Sequence, residues 1–344
     1  MTCGKVTSVD VARATGVSQP TVGRVFASDA RVSPAMRARM MEAATALGYR
    51  HNTLVRAMIT GRSNIIGLVV AYLENPFYAE AIERFSTCLK ARGYHALLVT
   101  ASNDENNVDS VVKDIMGLQV AGMILASISA TLSLTRELDR PGIPLVLFNR
   151  GQEDAMIPKV TAANFEGGRK TAHLLVRRGH KRIAHVSGWQ GSLTGLDRMN
   201  GFLAGLADPG QTPVACIDSH YDRDHAKVVT RQVFATPDCP DAVFVGNDHM
   251  AFAVMEVLRH ELALDIPGDV SIIGYDDVKM AAWQDFNMTT LCQPANRMVD
   301  ATVDMLMQMI SGAAMPVRHV KITSELIERG TTRDRTKDSQ NDQT

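Results

Sequence analysis

Cysteines, aromatic residues and long apolar runs are all scarce in this sequence. Its 344 residues include five cysteines, no two of which form a CxxC pair, and ten histidines, which form no HExxH or HxxxH pair. This spacing argues against a disulfide framework and a metal site, and it favours a reducing compartment. The N-terminal MTCGKVTSVD lacks the apolar core of a signal peptide, and no run of about 18 apolar residues occurs. We therefore expect a cytoplasmic protein without membrane contact or bound metal.

Motifs for cofactor binding and catalysis are also missing. The sequence has no GxGxxG after a strand, no GxxxxGK[ST] and no GxSxG, and the glycines of GWQGSLTG are wrongly spaced for a phosphate loop. Asp276 and Asp277 are adjacent, so their side chains point in different directions and make a poor acid pair. We predict no enzyme activity and no cofactor.

Charge is unevenly distributed along the chain. Residues 1–62 contain nine basic and three acidic residues, a net charge of +6, so the remainder carries −7 of the overall −1. A basic segment attached to an acidic body favours an anionic partner for that segment alone.

The basic segment begins with signals for a short helix. Thr7 and Asp10 are spaced as a capping box, which predicts a helix over about 8–15. Gly16 then supplies the residue that a tight turn needs.

Signals for two further helices follow this turn. Ser18 is a good N-cap for a helix over about 19–26, and Pro20 in its first turn loses no intrahelical hydrogen bond. Ser33 caps a third helix, which ends at Gly48. Helices this short are unstable alone. The pattern therefore predicts a helix-turn-helix unit propped by a third helix, and a small helical domain without DNA binding is the alternative.

The segment resembles the DNA-binding head of a known family. The runs VTSVDVARATGVSQPTVGRVF and VSPAMRARMMEAATALGYRHN look like the head of the lactose/galactose-repressor (LacI/GalR) family of bacterial transcription factors. This resemblance covers nearly all of residues 6–52, and it departs at Gly23, where the family has a serine hydroxyl. It implies DNA contacts from Thr7, Ser18, Gln19, Pro20, Thr21, Arg24, Asn52 and Met58. Gln19, Pro20 and Arg24 would read base edges in the major groove.

Residues 52–60, NTLVRAMIT, form a connecting segment that is too short to be a stable helix alone. The resemblance implies a hinge helix that folds only on DNA, pairs with its dimer mate and inserts Met58 into the minor groove. A plain linker is the alternative.

Apolar strands alternate with helical stretches from Ile65 onwards. The runs IIGLVVA, ALLVTA, GMILAS and PLVLFN form one series, and RIAHVSG, VACID, AVFVGND and VSIIGYDD form a second. This alternation predicts two doubly wound parallel-sheet subdomains, with a ligand at the carboxyl ends of the strands. We expect one subdomain over about 64–162 and 293–325, and the other over about 163–291.

Polar and aromatic side chains follow these strands. The polar side chains can form hydrogen bonds with the hydroxyls of a polyhydroxylated ligand, while an aromatic ring packs on its apolar face. The runs NPFYAE, FNR, VGND and GYDD also resemble the effector domain of the same family, which is similar to periplasmic sugar-binding proteins. The predicted ligand-binding residues are Leu73, Phe77, Asn149, Arg150, Asn164, Trp189, Arg198, Tyr221, Asn247 and Asp276.

These patterns together predict the domains and their function. We expect a helix-turn-helix domain over 1–51, a hinge over 52–63, an effector-binding and dimerisation domain over 64–330, and a disordered tail over 331–344. The predicted protein is a homodimeric, nucleoid-associated repressor of carbohydrate-metabolism genes, which binds double-stranded operator DNA under the control of a small effector. An activator, or a regulator whose ligand promotes DNA binding, is the alternative. A sugar carrier or an enzyme is more remote.

The class of effector stays open at this stage. Arg150 and Arg198 against Asp276 leave a positive excess that favours a sugar acid or sugar phosphate. Glu74 would cancel this excess if it pointed inward, and a neutral sugar would then fit. The aromatic side chains could instead sandwich a purine-like base.

Overall fold

The helices and strands of the chain belong to two separate units, residues 1–64 and 65–344. The computed structural model describes residues 6–26, 32–49, 63–101, 105–128, 143–150, 157–236, 238–313 and 319–336. Residues 52–62 of the predicted hinge, with Asn52 and Met58, lie outside the described residues.

The first unit contains the three predicted helices, α1 (Ser8–Thr15), α2 (Gln19–Phe26) and α3 (Pro34–Leu47). The capping box before α1 is confirmed, since the backbone N–H and the hydroxyl of Thr7 donate to Asp10 Oδ2 at 2.9 and 2.8 Å. Ser33 Oγ accepts from the N–H of Met36 at 3.4 Å, as expected of an N-cap. A small apolar core holds the helices together; it consists of Val11, Ala12, Val22, Val25, Met40 and Ala44.

The second unit contains two sheets. In chain order its elements are β1 (Ile65–Val70), α4 (Pro76–Ala91), β2 (His95–Thr100), α5 (Glu105–Gly117), β3 (Gly122–Ala126), β4 (Leu145–Phe148), β5 (Lys159–Ala162), α6 (Asn164–Arg177), β6 (Ile183–Ser187), α7 (Leu193–Ala207), β7 (Ala215–Asp218), α8 (Arg223–Phe234), β8 (Ala242–Val245), α9 (Asp248–Glu256) with a π-helical extension (Val257–Glu261), β9 (Ser271–Asp276), a 3₁₀ turn (Lys279–Ala282), β10 (Thr289–Cys292), α10 (Ala295–Ile310), β11 (His319–Ile322) and β12 (Glu325–Ile327).

Each sheet has six described strands and helices on both faces. The strand order is β11-β5-β4-β3-β1-β2 in the first sheet and β12-β10-β9-β8-β6-β7 in the second. All neighbours are parallel except β10 and β12. Successive strand residues face opposite sides of the sheet and pack on different helices. Leu68 lies in a cluster with Phe85 of α4, and Val69 lies in a cluster with Val112 of α5. The predicted fold class is confirmed.

The chain passes between the two subdomains three times. The passages follow β5, β10 and β11, the last of them leading directly into β12. Since parallel strands end at one edge of a sheet, the loops after the strands of both sheets can meet in a single cleft.

The prediction of a disordered tail is wrong for residues 331–336. The N–H of Ile272 donates to the carbonyl of Thr331 at 2.8 Å, and the N–H of Thr289 donates to Thr331 Oγ1 at 2.9 Å. Arg178 also donates to the carbonyl of Thr332 at 2.9 Å. Because threonine satisfies these backbone groups beside β9 and β10, a polar segment is packed onto the sheet and the effector domain extends beyond residue 330.

Among the described helices, none is long and apolar enough to cross a lipid bilayer.

Candidate functional site

A narrow cleft lies between the two subdomains at the carboxyl ends of their strands. Every side chain that lines it carries a polar group, which suits a small polar ligand. Eleven side chains line it: Tyr72, Asn75, Tyr78, Asn149, Arg150, Thr194, Arg198, Tyr221, Asn247, Asp276 and Gln293.

Six of the ten predicted ligand-binding residues line this cleft, namely Asn149, Arg150, Arg198, Tyr221, Asn247 and Asp276. The other four do not. Leu73 is 42% exposed on the surface. Phe77 is buried and stacks on Phe148 with ring centroids 6.0 Å apart, so it belongs to the core of the first subdomain.

The remaining two predicted residues support the lining from behind. Asn164 Oδ1 accepts a hydrogen bond from Arg198 Nε at 2.9 Å. Trp189 lies beneath the guanidinium of Arg150, whose central carbon is 5.4 Å from the ring centroid. Asn164 and Trp189 therefore act on the arginines and do not form the wall of the cleft.

Five lining residues were not predicted as ligand-binding: Tyr72, Asn75, Tyr78, Thr194 and Gln293. Asn75 and Gln293 carried a usable signal, since they follow β1 and β10 just as the predicted residues follow their own strands. Tyr78 and Thr194 lie on helices, and their direction depends on how those helices are rotated against the sheets.

A buried arginine and a buried carboxylate face each other in the cleft. Arg198 is 2% exposed and Asp276 is 3% exposed. Arg198 Nη1 donates to the carbonyl of Gly246 at 2.6 Å, and Nη2 lies 3.6 Å from Asp276 Oδ1. Its guanidinium also lies 3.6 Å from the ring centroid of Tyr275. These contacts fix the plane of the guanidinium before a ligand arrives.

At least four hydrogen bonds join the two subdomains across the cleft, one of them between Tyr72 Oη and His249 Nδ1 at 2.9 Å. Tyr72 Oη donates to the carbonyl of Tyr221 at 2.6 Å. Asn75 Nδ2 donates to Asp276 Oδ2 at 2.8 Å, and Thr194 Oγ1 donates to the carbonyl of Asn149 at 2.9 Å. The cleft is therefore in a closed arrangement, and each contact joins a first-subdomain residue to a second-subdomain residue.

Several lining atoms have unused hydrogen-bonding capacity. Asn149 Oδ1, Arg198 Nη2, Tyr221 Oη and Gln293 Oε1 are buried and have no hydrogen-bond partner among the described residues. Asn149, Tyr221 and Asp276 also have positive φ values of 58°, 59° and 125°. Buried polar groups are normally paired, and backbone strain concentrates at ligand sites. Both features suit a polar ligand that supplies the missing partners.

A second buried carboxylate, Asp248, lies next to this cleft. Its oxygens accept hydrogen bonds from Thr290 Oγ1 at 2.6 Å and from the N–H of Val278 at 3.0 Å. Burial, and then the nearby charge of Asp276, raise the pKa of Asp248 to about 8. Burial also raises the pKa of Asp276, against the lowering effect of Arg198.

The raised pKa of Asp248 predicts that the effector domain loses stability as pH rises. Between about pH 4 and pH 8 the folded protein holds a proton at Asp248 that the unfolded chain releases, so the free energy of unfolding falls with pH. Asp248→Asn should flatten this slope, because asparagine resembles the protonated acid. Urea unfolding at pH 6 and pH 8.5 measures how the free energy of unfolding changes with pH. An equal change in the parent and in Asp248→Asn would show that Asp248 does not cause it.

The exposed face of α2 in the first unit carries the predicted base-reading residues. Gln19, Pro20 and Arg24 are exposed, whereas Val22 and Val25 face the core. Gln19 Nε2 donates to Ser8 Oγ at 3.1 Å, which holds the amide at the start of α2.

The other predicted DNA-contacting residues that the structure describes are Thr7, Ser18 and Thr21. Ser18 and Thr21 lie with their hydroxyls 2.8 Å apart, and Thr7 caps α1. The exposed groups of this unit therefore suit an anionic partner, and their DNA contacts stay predictions.

Comparisons with known proteins agree with this geometry. Residues 8–52 match the profile of bacterial regulatory proteins of the lacI family, and residues 172–332 match a periplasmic binding protein-like domain. The chain is 31% identical to the HTH-type transcriptional regulator CelR of Thermobifida fusca over 329 residues, covering 92% of this chain and 96% of CelR. It is 29% identical to the ribose operon repressor of Escherichia coli K12 over 328 residues, covering 94% and 99%.

Two solved structures have a similar fold. A complex of CelR with cellobiose has a TM-score of 0.72 at 28% identity, covering 95% of this chain and 99% of that one. A lac repressor dimer bound to operator and the anti-inducer ONPF has a TM-score of 0.85 at 23% identity, with the same coverage. The relatives named here are transcriptional regulators rather than enzymes.

Proposed function

The chain belongs to the lacI family of bacterial regulatory proteins, and from this premise we propose that it is a sequence-specific DNA-binding repressor of carbohydrate-metabolism genes, controlled by a small polar effector. One observation carries the proposal: buried polar atoms without partners line a closed cleft between two subdomains. A ligand that pairs with these atoms would stabilise the closed arrangement, and it would change DNA affinity to the extent that the open and closed forms bind DNA differently.

The relatives support a carbohydrate effector. The CelR structure contains cellobiose, and another relative is named for the ribose operon. The amide, guanidinium and carboxylate groups that line the cleft can form hydrogen bonds with the hydroxyls of a small sugar-like ligand.

We propose that the protein acts as a homodimer on a roughly palindromic operator. The lac repressor structure holds a dimer on its operator. Two helix-turn-helix heads related by a two-fold axis read two half-sites, so operator symmetry reflects protein symmetry. Because operator DNA is in the bacterial cytoplasm, we place the protein there, associated with the nucleoid.

The role of Arg24 can be tested with DNA selected from random duplexes. Arg24 is exposed near the end of α2, where its guanidinium can reach a guanine edge. Arg24→Ala should weaken binding to the selected site by about 1–3 kcal/mol and relax preference at one base pair. Fluorescence anisotropy on the selected and single-base variant sites measures both effects. Equal weakening at every sequence would reduce Arg24 to a phosphate contact.

Gly23→Ser should strengthen DNA binding. A Cβ at Gly23 would meet no atom within 4 Å, so serine fits without moving the helix. Its hydroxyl can donate to a phosphate, and serine is a better helix former than glycine. We expect an affinity gain of up to about tenfold, equivalent to about one hydrogen bond, at all sequences alike. Gly23→Ala separates the two causes, since it improves the helix without adding a donor. An unchanged affinity in Gly23→Ser would contradict the placement of this position against the DNA backbone.

A further inference from the structure

Arg150 is the second arginine of the cleft, and its surroundings differ from those of Arg198. It follows β4 in the first subdomain, is only 7% exposed and lines the cleft. The contact recorded for its guanidinium is with Trp189 of the second subdomain, across 5.4 Å. Arg198, in contrast, is held by Asn164, Gly246 and Asp276.

Among the described residues, no carboxylate lies within ion-pair distance of Arg150. Asp276 is the one carboxylate among the lining residues, and its oxygens already accept from Asn75 and Gln293 and face Arg198. Glu74 is exposed and does not line the cleft. It therefore does not cancel the positive excess that the sequence predicts.

The other groups near Arg150 do not supply negative charge either. Tyr78 and Tyr221 are its phenolic neighbours in the cleft, and burial raises the pKa of both, so they stay neutral. The lining residues therefore carry two guanidinium groups and one carboxylate, a net charge of +1.

A guanidinium that is only slightly exposed and has no counter-ion among the described residues loses part of its hydration, and a cation–π contact compensates only a small part of that loss. Such a group is retained where a ligand supplies the opposite charge. The planar fork of arginine matches a carboxylate with two parallel hydrogen bonds.

We propose that the effector is a small sugar acid whose carboxylate pairs with Arg150 above Trp189, and whose hydroxyls meet the Arg198–Asp276 side of the cleft. This inference rests on the proposed function, because it names the effector class of the same cleft. A neutral sugar or a purine base can accept hydrogen bonds from Arg150 but would leave its charge without an opposite charge in the closed arrangement.

The test uses the full chain and matched pairs of probes. D-gluconate, D-galactonate and D-glucuronate are compared with D-glucose and D-galactose, and D-glucose 6-phosphate and hypoxanthine are the other arms. Thermal shift identifies binders, since a ligand at 100 times its Kd adds stability that is easily measured. Calorimetry then gives affinities. We expect at least one carboxylate to bind and its parent aldose to bind at least about 30-fold more weakly, the size of one charge-assisted pair.

Variants of Arg150 assign the effect to its charge. Arg150→Gln should weaken carboxylate binding at least about 30-fold, and Arg150→Lys should weaken it less, because lysine keeps the charge but not the fork. Arg231→Gln is the matched control: Arg231 pairs with Glu261 on the surface away from the cleft, and its loss should leave ligand affinity unchanged. A neutral aldose, hypoxanthine or the phosphate binding more tightly than every carboxylate would overturn the proposal, as would an unchanged carboxylate affinity in Arg150→Gln.

The melting temperature of the ligand-free protein decides the question even if no probe binds. Removal of an unpaired buried charge stabilises a protein, so Arg150→Gln should melt at a higher temperature than the parent. A lower or unchanged melting temperature would show that the guanidinium has a structural role, and the proposal would fall. Binding of ligand-free protein to selected operator DNA is measured in parallel. Its absence would refute the proposed function itself, whereas intact DNA binding with a neutral effector would refute only this inference.

Discussion

Arg198→Ala is expected to lower the free energy of unfolding of the effector domain by about 3–5 kcal/mol. The substitution leaves Asp276 as a buried carboxylate without its facing cation, and it leaves the carbonyl of Gly246 and the side chain of Asn164 without a donor. Burial already raises the pKa of Asp276, and loss of the guanidinium should raise it further. The variant should therefore lose most stability at high pH, where Asp276 must be charged.

Urea unfolding of the parent and of Arg198→Ala measures this effect. Asp276→Asn combined with Arg198→Ala is the informative second variant, because it removes the isolated charge. The double variant should recover about 0.5–3 kcal/mol relative to Arg198→Ala, the range over which residues in contact are coupled. If the double variant lost as much stability as the two single variants lose together, the two side chains would act independently.

Gly201→Ala is expected to destabilise the effector domain by about 3 kcal/mol or more, because overpacking a rigid contact forces the backbone apart. Helices α6 and α7 approach so closely at this point that a Cβ on Gly201 would lie 1.9 Å from the carbonyl oxygen of Phe165. The Cβ is bonded directly to the backbone of α7 and the oxygen belongs to the backbone of α6, so no side-chain rotation can relieve the clash. The helices must separate. Arg198 lies on α7 about one turn before Gly201, so it would move with that helix.

Chemical denaturation and ligand affinity of Gly201→Ala together test this account. Gly117→Ala is the matched control, since a Cβ at this helical glycine meets no atom within 4 Å. It should be neutral or stabilise by up to about 1 kcal/mol. If Gly201→Ala were as stable as Gly117→Ala, the close approach of the two helices would not exist in solution.

The buried strands of the effector domain could be predicted from its continuous apolar runs. Strands such as Gly122–Ala126 and Leu145–Phe148 are buried on both faces, which is why they are apolar at every position and could be identified from the sequence. The polar residues immediately after them, such as Asn149 and Arg150, line the cleft because a strand ends there whatever the details of packing.

The direction of helical side chains could not be predicted in the same way. Phe77 and Tyr78 are adjacent near the start of α4, about 100° apart around the helix axis. Phe77 turns into the core and Tyr78 turns into the cleft, and the run NPFYAE is compatible with either rotation. Tertiary packing of α4 on the first sheet decides between them.

Trp189 illustrates a second limit. Its ring lies over Gly191, where a Cβ would be 2.4 Å from ring atoms, and its carbonyl lies against Gly195. The glycines of GWQGSLTG therefore allow a tryptophan to lie flat outside the wall of the cleft. Their spacing excluded a phosphate loop, but the sequence did not reveal this use. The tail was mispredicted for a related reason, because Thr331 is ordered by backbone groups of β9 and β10 that are distant in sequence.

The most direct test of the account is the affinity of the full chain for its selected operator, measured by fluorescence anisotropy at fixed salt with and without a saturating effector. We predict a change of about 5–150-fold, and operator DNA should change the affinity for the effector by the same factor, because coupling between two binding sites is reciprocal. Operator affinity that is identical in both conditions, for a ligand shown by calorimetry to occupy the cleft, would contradict it.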